Sequence, residues 1–122
     1  MDRPSTRAGS DVIAFVISTF PDEETAASIV RDLIVKKLAA CGTIIPKVRS
    51  IYCWKNEICD SQEALVLFKI AHRSIGEFEI ALKKAHPYEV PEIVAFEATA
   101  TSEAYAKWVL QNLDSTQAIT AE

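Results

Sequence analysis

The order of apolar runs and turn signals along this 122-residue chain predicts an α+β domain of the split βαβ, ferredoxin-like class. Three observations carry the assignment. Two stretches with helical spacing each lie between strand-like apolar runs, the two central strand-like runs are joined by a short turn, and a further helical stripe follows the last strand. The resulting order, β-α-β-β-α-β and then a C-terminal helix, places both main helices on one face of an antiparallel sheet.

The elements follow in order. Val12 to Ile17 is continuously apolar and rich in β-branched residues, which predicts a strand buried on both faces. Pro21 or Asp22 opens a helix with Glu23 and Glu24 in its first turn, where the positive end of the helix dipole favours them. Its stripe runs through Ala26, Val30, Leu33, Ile34, Leu38 and Cys41, and Gly42 is the expected C′ residue. Thr43 to Lys55 favours strand, with Pro46 marking an edge position or a bulge, and Asn56-Glu57 is the expected turn. The return arm climbs through Ala64-Leu65-Val66-Leu67-Phe68-Lys69-Ile70, apolar on both faces. Ser74 and Glu77 have the spacing of a capping box, and Ile75, Phe78, Ala81, Leu82 and Ala85 continue a helical stripe. Ile93 to Phe96 is a short final strand, and Ser102 caps a helix whose stripe is Tyr105, Trp108, Val109 and Leu113. Residues 11–113 are read as one domain, 1–10 as a disordered lead and 114–122 as a frayed tail.

Composition excludes several classes of function. A net charge of −4 offers no basic patch, so nucleic acid is not an expected partner. No run approaches the roughly 20 apolar residues of a membrane span, and the first ten residues lack the apolar core of a secretory signal. Cys41, Cys53 and Cys59 are an odd number with spacings of 12 and 6, which fits neither a disulfide framework nor a zinc motif. Reduced thiols and a cytoplasmic location are the expectation. No nucleophile elbow, phosphate loop or dinucleotide fingerprint occurs, so nothing supports an enzyme.

The central hairpin points to self-association. At about 3.3 Å per residue, an arm of some 12 residues spans roughly 40 Å, against a radius of gyration near 14 Å for a domain of this size. The hairpin therefore overhangs its own domain and presents Tyr52 and Trp54 to a partner. The sheet's second apolar face calls for the same covering, so a homo-oligomer is expected, although periodicity does not fix the number of subunits.

His86-Pro87-Tyr88-Glu89-Val90-Pro91-Glu92-Ile93 is the most constrained run: its two prolines hold His86 and Val90 out of helical conformation and make a stiff connector after the second helix. Together with Val16-Ile17-Ser18-Thr19-Phe20-Pro21-Asp22, Lys37-Leu38-Ala39-Ala40-Cys41, Val48 to Trp54 and Phe68-Lys69-Ile70, it resembles, in order and over roughly 11–113, the CutA family of divalent-cation tolerance proteins. The resemblance implies a homotrimer similar in architecture to PII signalling proteins, and a binding or sensor role for copper or another divalent cation, or a small anion, at an intersubunit cleft. Its alternative is a very stable, non-catalytic trimeric scaffold on which partner proteins dock. The cleft it implies brings Thr19, Lys69, His86, Tyr88 and Glu89 near Trp54 of a neighbour, with Ile51, Tyr52 and Trp54 in the trimer interface. The copper ligands proposed for the family are a cysteine ending the first strand and a histidine pair opening the H-P-Y segment; here those positions hold Ser18 and Ala85-His86, so His86 alone is a competent metal ligand.

Other roles for these residues stay open. His86 is a helix cap or packing residue, a ligand contact or a metal ligand; as a cap, it would be favoured in its protonated form by the helix terminus. Lys69 interrupts an apolar strand and needs Glu89, Glu92 or an anionic ligand as a partner. Cys53 and Cys59 flank the hairpin tip, where a joint metal or redox role depends on their proximity.

Overall fold

The computed structural model describes residues 12–114. The expected lead, 1–10, lies outside them, as does the expected tail apart from Asp114. The elements are β1 (Ile13–Phe20), α1 (Glu23–Val35), β2 (Cys41–Trp54), β3 (Glu57–Ala71), α2 (Ile75–Ala85), β4 (Val94–Glu97) and α3 (Glu103–Asn112), with a single 3₁₀ turn, His72–Ser74, leading into α2. The four strands form one antiparallel sheet in the order β2-β3-β1-β4, which is the ferredoxin-like arrangement.

The pleat sorts the strands onto two faces. Ala14, Val16 and Phe20 of β1 and Ala64, Val66, Phe68 and Ile70 of β3 point towards α1 and α2, where Leu33, Phe78 and Leu82 complete the main core. Phe68 is central, meeting Phe78 and Phe20 edge-on at ring-centroid distances of 5.0 and 6.4 Å. The other face is only partly bare. Ile13 packs there with Ala40 and with Ala106 and Val109 of α3, so the C-terminal helix covers one end of it. β1 is buried on both faces as its sequence predicts, although it runs on to Phe20.

Local chemistry explains the element ends. Asp22 caps α1, its Oδ1 accepting from the Thr25 N–H at 2.7 Å, and Ser102 caps α3, accepting from the Tyr105 N–H at 3.2 Å. α1 stops earlier than its apolar stripe predicts. Lys37 takes a left-handed conformation (φ 63°), and the N–H groups of Lys37 and Leu38 bond to the carbonyls of Ile34 and Leu33, closing a Schellman motif. Gly42 is therefore not a helix cap. It lies in β2, where a Cβ would stand 2.8 Å from both methyl groups of Val30, so its absent side chain permits close packing of helix and strand.

Two further expectations are corrected. Ser74 precedes α2 without a side-chain cap bond, since the 3₁₀ turn holds its backbone out of the extended conformation a capping box requires (ψ 10°). The hairpin turn is Lys55-Asn56, one residue earlier than expected; both residues have positive φ (51° and 69°), as a two-residue type I′ turn demands. Pro46 is both at an edge and at a bulge: β2 is an edge strand, and its register shifts between Ile45 and Val48.

The hairpin overhangs. β1 pairs with β3 only from Ala64 to Ala71, so Val48–Trp54 and Glu57–Glu63 pair with each other alone. Those seven residues an arm reach roughly 23 Å past the sheet.

Candidate functional site

A cleft of ≈ 690 Å³ opens where the hairpin leaves the body of the domain. One wall is the connector after α2, contributing Pro87, Tyr88, Glu89, Val90 and Glu92, with Thr19 from the end of β1. The other is the hairpin, contributing Ser50, Ile51, Tyr52, Trp54 and Glu63.

His86 anchors the first wall from behind. It ends α2 in an extended conformation, as the following proline requires, and is only 8% exposed. Its ring lies between those of Phe20 and Tyr88, with centroids at 4.5 and 4.9 Å. Both nitrogens are used. Nδ1 accepts from the Tyr88 backbone N–H at 3.1 Å, which places the proton on Nε2; Nε2 then donates to the Thr19 carbonyl at 2.9 Å, with Ser18 Oγ at 3.2 Å. Burial pushes the imidazole pKa below its ordinary value, against the smaller upward pulls of the Thr19 carbonyl and the Glu63 charge. The ring is thus neutral near pH 7 and acts as a brace between β1 and the connector. The expected cap on the α2 carbonyls, and the protonated form that went with it, give way to these contacts.

Tyr88 reaches from the brace into the cleft, and its hydroxyl donates a short hydrogen bond to Glu63 Oε2. Burial, then the Glu63 carboxylate, holds the phenol well above its usual pKa, so it remains a donor at all ordinary pH values. Glu63 itself is only 8% exposed. On the hairpin, the Tyr52 hydroxyl lies 3.3 Å from Ser61 Oγ across the strands, and Lys55 Nζ stands 5.6 Å from the Trp54 ring centroid.

Of the residues predicted for the site, Thr19, Tyr88 and Glu89 line the cleft, His86 stands directly behind it, and Ile51, Tyr52 and Trp54 form its hairpin wall at 62%, 43% and 40% exposure. Lys69 does not belong. It lies six positions along β3 from Glu63, roughly 20 Å away, where its ammonium donates to Thr43 Oγ1 and lies 3.8 Å from Cys41 Sγ. Neither Glu89 nor Glu92 serves it, and a cleft lined, among the described residues, by three carboxylates and no cationic side chain does not suit a small anion.

The sequence reading missed Glu63. A carboxylate directly before an apolar strand reads as the solvated end of that strand, and only the overhang turns it inward; the signal was its position next to Ala64, where pairing with β1 begins. Cys53 and Cys59 are free, and they pair across the hairpin with Ile58 and Tyr52 respectively, which puts the two thiols on opposite faces.

These residues do not fit a copper centre. Metal ligation by His86 would break a hydrogen bond at whichever nitrogen was used, Ser18 offers a neutral hydroxyl, and Ala85 offers a methyl group. Among the described residues no group of three or more His, Cys, Asp or Glu side chains is placed to hold a metal ion. Among them, too, no helix is long and apolar enough to cross a membrane.

Comparison with known proteins agrees with this architecture. The divalent-cation tolerance protein CutA of Thermus thermophilus is 38% identical over 97 residues, covering 80% of this chain and 94% of that protein. Human protein CutA is 36% identical over 107 residues, 88% of this chain, but this chain spans only 59% of the human protein's length. Among solved structures, CutA1 of Thermus thermophilus superposes with a TM-score of 0.78 at 37% identity, covering 82% of this chain and 97% of that one. The structure of a stable CutA1 from the psychrotrophic Shewanella sp. SIB1 gives 0.79 at 35% identity, covering 84% and 96%. The model of the CutA1 divalent ion tolerance protein family matches residues 14–112, and the chain belongs to that family.

Proposed function

We propose that this chain is a non-catalytic binding or sensor subunit of PII type, acting in divalent-cation tolerance as a homotrimer whose clefts lie at subunit boundaries. The overhanging hairpin carries this reading. Ile51, Tyr52, Trp54 and Ile58 are 62%, 43%, 40% and 77% exposed on an arm that pairs with no third strand among the described residues, and a second copy is the partner such a surface requires. The cleft opens beside that arm, so a neighbouring subunit laid along it closes the open side. The groups in the cleft are built to hold position: His86 is fixed in one tautomer, and Tyr88 is locked as a donor, which suits recognition more than proton transfer. Tolerance to metal ions then follows from what the cleft senses, without a copper centre at His86.

Light scattering tests the assembly. The expected mass is three times the 13.5 kDa subunit, and Trp54→Ala together with Ile58→Ala shifts it towards monomer on dilution. A wild-type monomer at micromolar concentration contradicts the reading. Titration with copper and zinc then separates metal sensing at the cleft from the scaffold alternative: a metal-induced rise in melting temperature that survives His86→Gln supports the sensor reading. If neither metals nor small molecules stabilise an intact trimer, the scaffold is the better description.

A further inference from the structure

The cleft carries a charge that the described residues do not balance. Glu63 is buried to 8% exposure, yet its hydrogen-bond partner, the Tyr88 hydroxyl, is neutral and engages only Oε2. A buried carboxylate retains a large part of its desolvation cost unless a cation faces it. Glu89 and Glu92 line the same cleft, and among the described residues no lysine, arginine or histidine does. The rings of Tyr52, Trp54 and Tyr88 line the cleft with these carboxylates. The Trp54 ring already draws one ammonium, that of Lys55.

Aromatic faces combined with carboxylates select a particular kind of cation. A bare metal ion requires several oxygen or nitrogen donors converging on one point, which the described residues do not supply. An ammonium or guanidinium group on a carbon skeleton instead gains from both features, with the charge on the carboxylate and over a ring, and the carbon atoms against Ile51 and Val90. The volume of ≈ 690 Å³ falls within the range of small-molecule sites, roughly 300–1,000 Å³. Resting on the binding reading above, we infer that the ligand of this cleft is a small organic cation, an alkylammonium or alkylguanidinium ion, whose charged group meets Glu63 beside the rings of Trp54 and Tyr88 and whose stem lies against Ile51 and Val90.

Calorimetric titration of the intact protein with butane-1,4-diamine and with butylguanidinium tests this, with glutarate and magnesium chloride as the opposed probes. Saturable heat from the two organic cations, absent with glutarate and magnesium, is the expected result. Glu63→Gln weakens that binding by about tenfold or more, the share of one charge-assisted contact. Glu89→Gln combined with Glu92→Gln, both exposed and safe for folding, weakens it by a few fold, and Trp54→Leu lowers affinity and removes the accompanying quenching of tryptophan fluorescence. Any of three outcomes overturns the inference: glutarate or magnesium binding in preference, cation binding that Glu63→Gln leaves unchanged, or no heat from either organic cation. Light scattering on the same samples keeps the two ideas apart. No heat with an intact trimer removes the ligand assignment alone, whereas a monomer removes the assembly on which the binding reading stands.

Discussion

β3 passes through two environments in one strand. From Ala64 to Ala71 it pairs with β1, and from Leu65 to Lys69 with β2 as well, and alternate residues face α1 and α2; from Glu57 to Glu63 it has β2 alone. The first half is apolar and closed by its own chain. The second is Glu-Ile-Cys-Asp-Ser-Gln-Glu, polar enough to stay in water, yet it ends beside a cleft and carries Ile58 at 77% exposure. The contrast separates two jobs: the closed half stabilises the subunit, and the open half is available to something outside it. Arg49 and Asp60 illustrate the difference, since their bidentate pair at 2.7 and 2.9 Å links the two arms of the overhang but, with side chains 74% and 47% exposed, contributes little to stability.

The largest expected effect lies in the closed half. Phe68→Ala removes a fully buried ring that meets Phe20 and Phe78, and costs about 3–5 kcal/mol in denaturant unfolding. Ile58→Ala, ten positions earlier on the same strand, changes the subunit's own unfolding by less than about 0.5 kcal/mol while weakening assembly. Equal costs for the two substitutions would erase the distinction between the halves. Next in size is Gly42→Ala. The added methyl meets both Val30 methyl groups at 2.8 Å, so the Val30 side chain or α1 with it must shift, at a cost of about 1–3 kcal/mol. Gly42→Ala with Val30→Ala recovers part of that loss if this contact is its cause, and a double mutant no better than the single one would place the strain elsewhere.

Much of this was legible in the sequence, and the misses share a cause. Element order, the overhang, the bulge at Pro46 and the cap at Ser102 follow from local rules, because each depends on residues within a few positions of one another. The helix stripe ran on to Cys41 because Leu38 and Cys41 keep the period, whereas a lysine entering a left-handed conformation at position 37 has no local signature. The site was half legible. Two prolines marked the connector, but which carboxylate meets Tyr88, and that Lys69 sits at the far end of its strand, depends on where β1 stops pairing with β3. Glu63 precedes one apolar run and Lys69 interrupts it; tertiary pairing sends one charge to the cleft and the other to Thr43 and Cys41.

His86 braces the end of β1 against the connector, and its titration tests that brace. In the unfolded chain the imidazole has its ordinary pKa of 6.5; in the fold, burial holds it lower. As pH falls the unfolded state therefore takes up a proton first, so His86 contributes its full stability above about pH 6.5 and loses it as the pH drops towards the folded pKa. Denaturation at about pH 7.5 and about pH 5.5 should show wild type losing stability between the two, and His86→Gln losing measurably less. The same slope in both proteins would assign the acid sensitivity to other groups.

The smallest effect sharpens the comparison most, because it applies one chemical change to both halves. Lys37 and Lys55 each occupy the left-handed region, at φ 63° and 51°, one closing the Schellman motif of α1 and the other in the hairpin turn. Glycine relieves a steric cost of about 1–2 kcal/mol at such a position but gives back part of it in unfolded-chain entropy, leaving a net gain of about 0.5–1 kcal/mol. Lys37→Gly should add that gain to global unfolding, since the motif it relieves closes over Leu33 in the main core. Lys55→Gly acts where only a two-stranded ribbon is held, and a ribbon without a third strand opens by itself. Its gain should therefore appear as slower amide exchange between Tyr52 and Ile58, with the global midpoint nearly unmoved. If both substitutions raise the global midpoint equally, the overhang folds as one unit with the core, and the halves differ in exposure but not in cooperativity.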